Sequence, residues 1–224
     1  MAASSKIIDL RKLLAERFPH PRNTAATHLL TGLSFLDQPI SRGLPKGAIT
    51  ELISPQISAG SASLIHALLE AAHRDGYFVA LIDGRDSFDP CALDNCSLRH
   101  LLWVRCTRAL DAVKATDLLL RDGNFPLVIV DLVLNPAEEL RKIRQTSWYR
   151  LQRLAEASPA ACLVLSHQSM VSSAQLKVVL ENSWTLQTFE EKDAISRMRI
   201  VVERSHPRSE IRNQRSEIRL QLLT

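Results

Sequence analysis

Ala48-Ile49-Thr50-Glu51-Leu52-Ile53-Ser54-Pro55-Gln56-Ile57-Ser58-Ala59-Gly60-Ser61-Ala62-Ser63-Leu64 is the run whose reading decides the fold. Its first six residues are apolar enough for a strand, five of the next seven are small or turn-forming, and a helix is expected over 61–75. The same alternation continues downstream. Strands are expected at Val79–Ile82, Leu101–Arg105, Leu127–Asp131, Ala161–Ser166 and Ser183–Thr188, with helices near 108–122, 137–157 and 173–180. Within 108–122, Val113, Leu118 and Leu119 are expected to face the sheet. Apolar strands alternating with amphipathic helices predict an α/β fold with a mainly parallel sheet covered on both faces.

The two ends read differently. Ile7, Leu10, Leu14 and Phe18 stand near helical spacing, Pro19 and Pro21 stop that helix, and a polar linker follows from His20 to His28. Residues 1–28 are therefore a helix and linker, and residues 29–224 the core domain. At the far end, Met198, Ile200 and Val202 alternate within Arg197–Glu203, and Ile218, Leu220 and Leu222 within Ser216–Leu222. Period-two spacing predicts the two arms of an antiparallel hairpin. The pentapeptide Arg-Ser-Glu-Ile-Arg occurs at 208–212 and again at 215–219, a duplication that lengthens the hairpin loop.

Composition narrows the functional classes. The 224 residues are 46% hydrophobic and 23% charged, as in ordinary globular proteins. No apolar run approaches the length that spans a bilayer, and no signal-type core follows the small, polar start, so a cytosolic location is expected. Cys91, Cys96, Cys106 and Cys162 form no CxxC pair and lie at no metal-ligand spacing with histidine; reduced, mostly buried thiols and no metal are expected. The net charge of +4 is concentrated in residues 197–224, which hold seven arginines against three glutamates. Such a segment suits a phosphate backbone or an acidic partner, and equally a solvated hairpin.

Four stretches, in order, resemble the RecA ATPase core. Thr31-Gly32-Leu33-Ser34-Phe35-Leu36-Asp37 with Gly43-Leu44-Pro45-Lys46-Gly47 is similar to the segment that feeds the phosphate-loop strand. Leu81-Ile82-Asp83-Gly84-Arg85-Asp86 lies where the family ends a strand in its catalytic glutamate, and Leu127-Val128-Ile129-Val130-Asp131 resembles the Walker B strand. Ser166-His167-Gln168 falls where the family senses the γ-phosphate through a glutamine. The resemblance covers residues 30–222 and implies a RecA-like fold.

The chemistry departs from that pattern. A phosphate loop uses glycines to wrap the anion in backbone N–H groups, a lysine on the β/γ oxygens and a hydroxyl on magnesium. Here Gly60 matches the second glycine, while Ser61 stands at the lysine and Ala62 at the hydroxyl position. Pro55, or Ser54 if one residue is inserted, replaces the first glycine. Arg85 occupies the position of the catalytic glutamate, and a cation cannot polarise the attacking water. Asp131 matches the magnesium-side aspartate and, with the rest of the set gone, is expected to be structural; Gln168 is expected to be a loop residue. Neither catalysis nor a bound cofactor is expected. An ATP-dependent paralogue that recruits Lys46 for the missing charge is the alternative.

No HExxH, GxSxG or nucleophile–base arrangement offers another chemistry. The loops that hold DNA in this family are replaced by Val133-Leu134-Asn135-Pro136 and by Ser169 to Ala174, both without a basic residue. Any DNA or partner contact is assigned instead to Arg204, Arg208, Arg212, Arg215 and Arg219, a non-specific phosphate-binding reading. With its leading helix and degraded loop the chain most resembles the ImuA (SulA-like) group. That resemblance implies a bacterial accessory role in DNA damage and error-prone translesion synthesis. It implies as partners an ImuB-like inactive Y-family polymerase homologue, RecA and a replicative-type error-prone polymerase. The leading helix could serve such docking or pack on its own domain.

Overall fold

The structure, a computed structural model, describes residues 13, 16–17, 27–40, 43–56, 59–182 and 195–205. The expected helix over 5–18, the strand Ser183–Thr188 and the hairpin arm Ser216–Leu222 lie outside those residues, wholly or nearly so.

In chain order the strands are β1 (His28–Leu29), β2 (Leu44–Pro45), β3 (Ala48–Ile53), β4 (Val79–Asp83), β5 (Leu101–Arg105), β6 (Leu127–Asp131), β7 (Ala161–Ser166), β8 (Leu176–Leu180) and β9 (Ile200–Ser205). The helices are α1 (Ser34–Asp37), α2 (Ser61–Asp75), α3 (Asn95–Leu98), α4 (Ala109–Asp122), α5 (Ala137–Arg141) and α6 (Gln145–Ala157). Strands β3 to β9 form one seven-stranded sheet in the order β5-β4-β6-β7-β3-β8-β9. Every pairing in it is parallel except β8 with β9. This is the expected α/β architecture, ending in an antiparallel pair.

Each inner strand divides its side chains between two cores. Ala80, Ile82, Val128, Val130, Cys162 and Val164 meet α4 and α6 on one face. Val79, Leu81, Leu127, Ile129, Leu163 and Leu165 meet α2 on the other. Burial on both faces is why these strands read as unbroken apolar runs. Helix α2 matches its expected range, with Leu64, Ile65, Leu68, Leu69 and Ala72 inward and Gly76, at φ +72°, closing it in the left-handed conformation.

Three expectations need correction. The helix expected over 137–157 is broken between α5 and α6. Continued through, it would set Arg144 in the middle of the stripe formed by Leu140, Trp148, Leu151 and Ala155, all buried. Burying that cation without a partner is costly, and the break turns Arg144 to solvent while Ile143 fills the core. The helix expected over 173–180 is instead strand β8. Leu176, Val178 and Leu180 are buried in alternation with Lys177 and Val179, a period of two that the short segment disguised. Finally, Leu118 faces solvent, 45% exposed, while Leu119 and Leu120 take the inward positions.

The arm expected at Arg197–Glu203 begins later, at Ile200, after a 3-10 turn, and pairs with β8. The four cysteines are free, but only Cys106 and Cys162 are buried; Cys91 and Cys96 are exposed, against the expectation of mostly buried thiols. Trp148 is fully buried, and Trp103 lies half-buried on the edge strand β5.

Strand β8 is tied to β3 by a buried ion pair. Lys177 Nζ lies 2.6 Å from Glu51 Oε2, with the two side chains 12% and 0% exposed. Glu51 also accepts from the backbone N–H groups of Met170 (2.5 Å) and Val171 (2.8 Å), so one carboxylate fixes both the strand pairing and the loop before β8. Replacing Lys177 with Met leaves that carboxylate buried without its cation. The expected cost is about 3–5 kcal/mol in urea denaturation. The double variant Glu51→Gln/Lys177→Met should recover part of the loss.

Candidate functional site

The carboxyl ends of β3, β4, β6 and β7 converge where an α/β sheet of this kind places its ligand. The connection from β3 to α2 is the candidate phosphate loop; Ile57 and Ser58 fall outside the described residues. Ser54 is buried, donates its N–H to Ser166 O (2.8 Å) and its hydroxyl to Gln56 O (3.1 Å). Ala59 donates its N–H to Gln56 O (3.1 Å). Pro55 has no N–H to offer. Gly60 stands at φ +90°, a left-handed conformation that suits glycine, and its carbonyl accepts from Leu64 N as α2 begins.

The turn therefore survives, and the Ser54 and Ala59 N–H groups serve the protein's own carbonyls. Ser61 is buried at the first position of α2 and Ala62 is exposed, so neither puts a positive charge at the loop. Lys46 lies in the turn that precedes β3, where its N–H donates to Thr27 O. That is the amino end of the strand, roughly 20 Å from the loop at the usual rise per residue.

At the end of β4, Asp83 is 1% exposed and gathers the chain that follows it. It accepts from the N–H groups of Ser87 and Phe88 (both 2.8 Å) and Arg85 (3.2 Å), with the Ser87 hydroxyl and the Trp103 indole N–H further out (both 3.4 Å). Arg85 is thereby held beside α4 and α5. Its guanidinium donates to Thr107 O (3.4 Å) and lies 3.9 Å from Glu139 Oε1. Asp86, at φ +55°, turns the other way and binds Arg105, whose guanidinium also stacks on Trp103 at 4.9 Å.

Glu139 does a second task. Its Oε2 accepts from Ala109 N (3.2 Å) at the start of α4, a contact that holds its carboxyl below the ordinary value. Asn135, 2% exposed, donates to Gly84 O (2.9 Å) and to Glu139 Oε2 (3.3 Å). A side chain at Gly84 would strike Asn135 Oδ1 at 2.5 Å and Asp131 O at 2.7 Å, so this crossing requires glycine. Where the resemblance would place a glutamate, the molecule has a half-exposed arginine beside a chain of internal contacts that joins Gly84, Asn135, Glu139 and the first N–H of α4.

Asp131 faces Asp83 across the β4–β6 register and accepts from Val133 N (3.0 Å). Burial pushes its carboxyl up to about 6, the Val133 N–H opposes this, and the charge of Asp83 adds to it. In the β7 loop the Ser166 hydroxyl donates to Gln168 O (2.8 Å), and His167 Nδ1 lies 3.3 Å from Val133 O. The structure thus gathers Ser54, Gly60, Ser61, Arg85, Asp131 and Gln168 at the carboxyl end of the sheet's inner strands.

It does not gather the C-terminal arginines there. The backbone of Arg204 pairs with Lys177 at the end of β9, on the sheet's far edge. Arg208, Arg212, Arg215 and Arg219 lie outside the described residues. Sequence reasoning missed Asn135 and the capping role of Glu139. No local pattern signals them, because Glu139 caps a helix that begins thirty residues earlier, at Ala109.

Among curated proteins the chain is similar to RecA proteins over part of its length. It is 32% identical over 102 residues to Protein RecA of Mycoplasmopsis pulmonis, covering 44% of this chain and 30% of that protein. It is 30% identical over 115 residues to Protein RecA of Chlorobaculum tepidum, covering 49% and 33%, and 31% identical over 114 residues to that of Prochlorococcus marinus, covering 49% and 30%. The matches span about a third of these relatives' length. No family model matches the chain. The similarity, with the sheet described above, supports a RecA-like relationship.

Two outcomes test this description. Gly84→Ala forces a methyl group into Asn135 and the Asp131 carbonyl, and should cost about 1–3 kcal/mol by urea denaturation. Asp131 binds its proton more tightly in the folded than in the unfolded chain, where its value is near 3.8. Its contribution is therefore greatest below that value and is lost as pH rises through about 6. Asp131→Asn should remove this loss, raising stability by about 1–3 kcal/mol at pH 7 and by little at pH 4, read from melting curves at both pH values.

Proposed function

We propose that this chain is a non-catalytic RecA-like accessory protein of the bacterial DNA-damage response, an adaptor for polymerase-type partners in error-prone translesion synthesis. The observation that carries the non-catalytic part is Arg85. It stands at the position of the water-polarising glutamate and is engaged with Glu139 and Thr107 O. A cation there cannot act as general base, and its charge repels magnesium.

The loop supports the same reading. Without the lysine and the hydroxyl, a triphosphate would find neither its usual cation nor the oxygen that holds magnesium, and would be left with the backbone N–H groups at the start of α2. Lys46, at the opposite end of β3, is placed too far away to restore the charge. What remains of a RecA-like enzyme in such a chain is its surface. The accessory role rests on the RecA likeness together with the degraded loop, and on the resemblance to the ImuA group. An ImuB-like inactive polymerase homologue, RecA itself and a replicative-type error-prone polymerase are the partners this reading names.

The test is calorimetric titration with ATP and magnesium beside a melting curve. A ligand at a hundred times its dissociation constant stabilises the folded state by about 2.7 kcal/mol. At millimolar ATP we expect neither heat nor a melting shift. Micromolar binding would sink the non-catalytic reading, and co-purification with the ImuB-like homologue but not with unrelated polymerases would support the adaptor role.

A further inference from the structure

Helix α2 runs from the carboxyl end of β3 back to the amino end of β4, and there two histidines from different elements meet. His73 stands in the last turn of α2, and His100 is the residue before the edge strand β5. Their Nδ1 atoms lie 3.3 Å apart, although the residues are separated by 27 positions in the chain. Both side chains are half-buried, so packing holds them while solvent still reaches them. Phe78 stacks on His100, with ring centroids 5.3 Å apart and planes inclined at 26°, and fixes that ring.

The geometry fits a shared ligand better than a direct bond. An N–H hydrogen bond is ordinarily about 2.9–3.0 Å long and close to straight. This contact is longer, and the ring centroids are only 5.0 Å apart with planes inclined at 54°. That separation exceeds the nitrogen separation by less than two ring radii, so the rings are angled rather than collinear. Two imidazole nitrogens bound to one tetrahedral ion at about 2.0–2.1 Å stand roughly 3.3–3.4 Å apart at such an angle. His100 Nδ1 also lies 3.3 Å from Cys96 O. That carbonyl already accepts from Arg99 N at 3.2 Å, so it does not require a proton on His100. Both Nδ1 atoms are therefore free to present lone pairs.

The surroundings suit a cation. The last turn of a helix carries the negative end of its dipole, and His73 sits in that turn of the 15-residue α2. Asp94 caps α3 by accepting from Ser97 N at 2.7 Å. Its carboxyl is held below the ordinary value by Ser97 first, with a smaller contribution from His73, which places a carboxylate within electrostatic reach of the pair. Of the neighbouring cations, Arg74 is paired with Asp75 at 2.9 Å and Arg99 is exposed at the end of α3. Among the described residues no group of three or more His, Cys, Asp or Glu side chains forms a metal cage. An ion held here by two imidazoles therefore keeps water in its remaining positions.

We propose that His73 and His100 bind a divalent transition-metal ion of the zinc class through their Nδ1 atoms, clasping the end of α2 to the start of β5. Imidazole suits zinc, nickel and copper, whereas magnesium and calcium take oxygen ligands. Strand β5 pairs only with β4, so the metal would give this edge strand a second attachment. The pair lies at the opposite end of the sheet from the candidate phosphate loop. It stands independently of the accessory reading, and the ATP titration bears on neither histidine.

The test is calorimetric titration of the full chain with zinc chloride at neutral pH, with magnesium chloride as the comparison and melting curves beside it. We expect zinc to bind with a dissociation constant on the order of ten micromolar and magnesium not to bind. The melting temperature should rise with zinc. His73→Gln and His100→Gln should each weaken zinc binding by at least about tenfold and remove the zinc-dependent melting shift. Melting curves without zinc show that each variant is folded. Cys91→Ser/Cys96→Ser should bind zinc as the unchanged protein does, because the two exposed thiols take no part. Copper(II) in place of zinc should show hyperfine coupling to two imidazole nitrogens in the unchanged protein, a reading that needs no variant. The proposal is overturned if the unchanged protein binds no zinc, or binds magnesium equally well. It is also overturned if folded histidine variants keep their zinc, if the cysteine variant loses it, or if copper couples to fewer than two nitrogens.

Discussion

A carboxylate buried at the end of a strand must collect its own donors, and much of this molecule's loop structure follows from two such groups. Asp83 does so at the end of β4 and Glu51 within β3. Glu51 draws in the Met170 and Val171 N–H groups and the Lys177 ammonium; Asp83 draws in the chain from Arg85 to Phe88. Left unpaired, either charge would cost more than the sheet could tolerate. Satisfied, they set the loops in one conformation and place Arg85 against Glu139. The loops that follow β4 and β7 thus owe their order to two carboxylates.

Much of this was legible in the sequence. The inner strands β3, β4, β6 and β7 announce themselves because burial on both faces leaves them few polar positions, and β3, β6 and β7, like the edge strand β5, begin and end where expected. Helix α2 was legible from its spacing and from the glycine that ends it. The failures have physical causes. Strand β8 is short and amphipathic, and its Lys177 looks like a helix-surface residue until its distant partner Glu51 is known. The break before α6 turns on where Arg144 would point, which a local window does not weigh against Leu140 and Trp148.

The site divides in the same way. The missing lysine, the proline in the loop and the arginine at the glutamate position are statements about residue identity, and they stand in the sequence. The Asn135 link to Gly84 and the Glu139 cap on a neighbouring helix are statements about crossing distance, since they join segments far apart in the chain. The outward turn of Leu118 belongs to the second kind too. Leu118, Leu119 and Leu120 follow one another, and only the packed helix decides which of them the core accepts.

The strand order carries a consequence for how the chain reaches this shape. Strand β3 is the first long strand to be synthesised, yet it pairs with β7 and β8, so that Ala48 waits for Ala161 and Thr50 for Leu176. Strands β4, β5 and β6 can associate among themselves well before that, since they neighbour one another in the sheet. An emerging chain therefore holds β3 and its attached helix without sheet partners until β7 is made, and the centre of the sheet closes last. Long-range pairing of this kind slows folding and exposes apolar strand during the wait. Among the described residues the last strand to emerge, the antiparallel β9, covers the open side of β8.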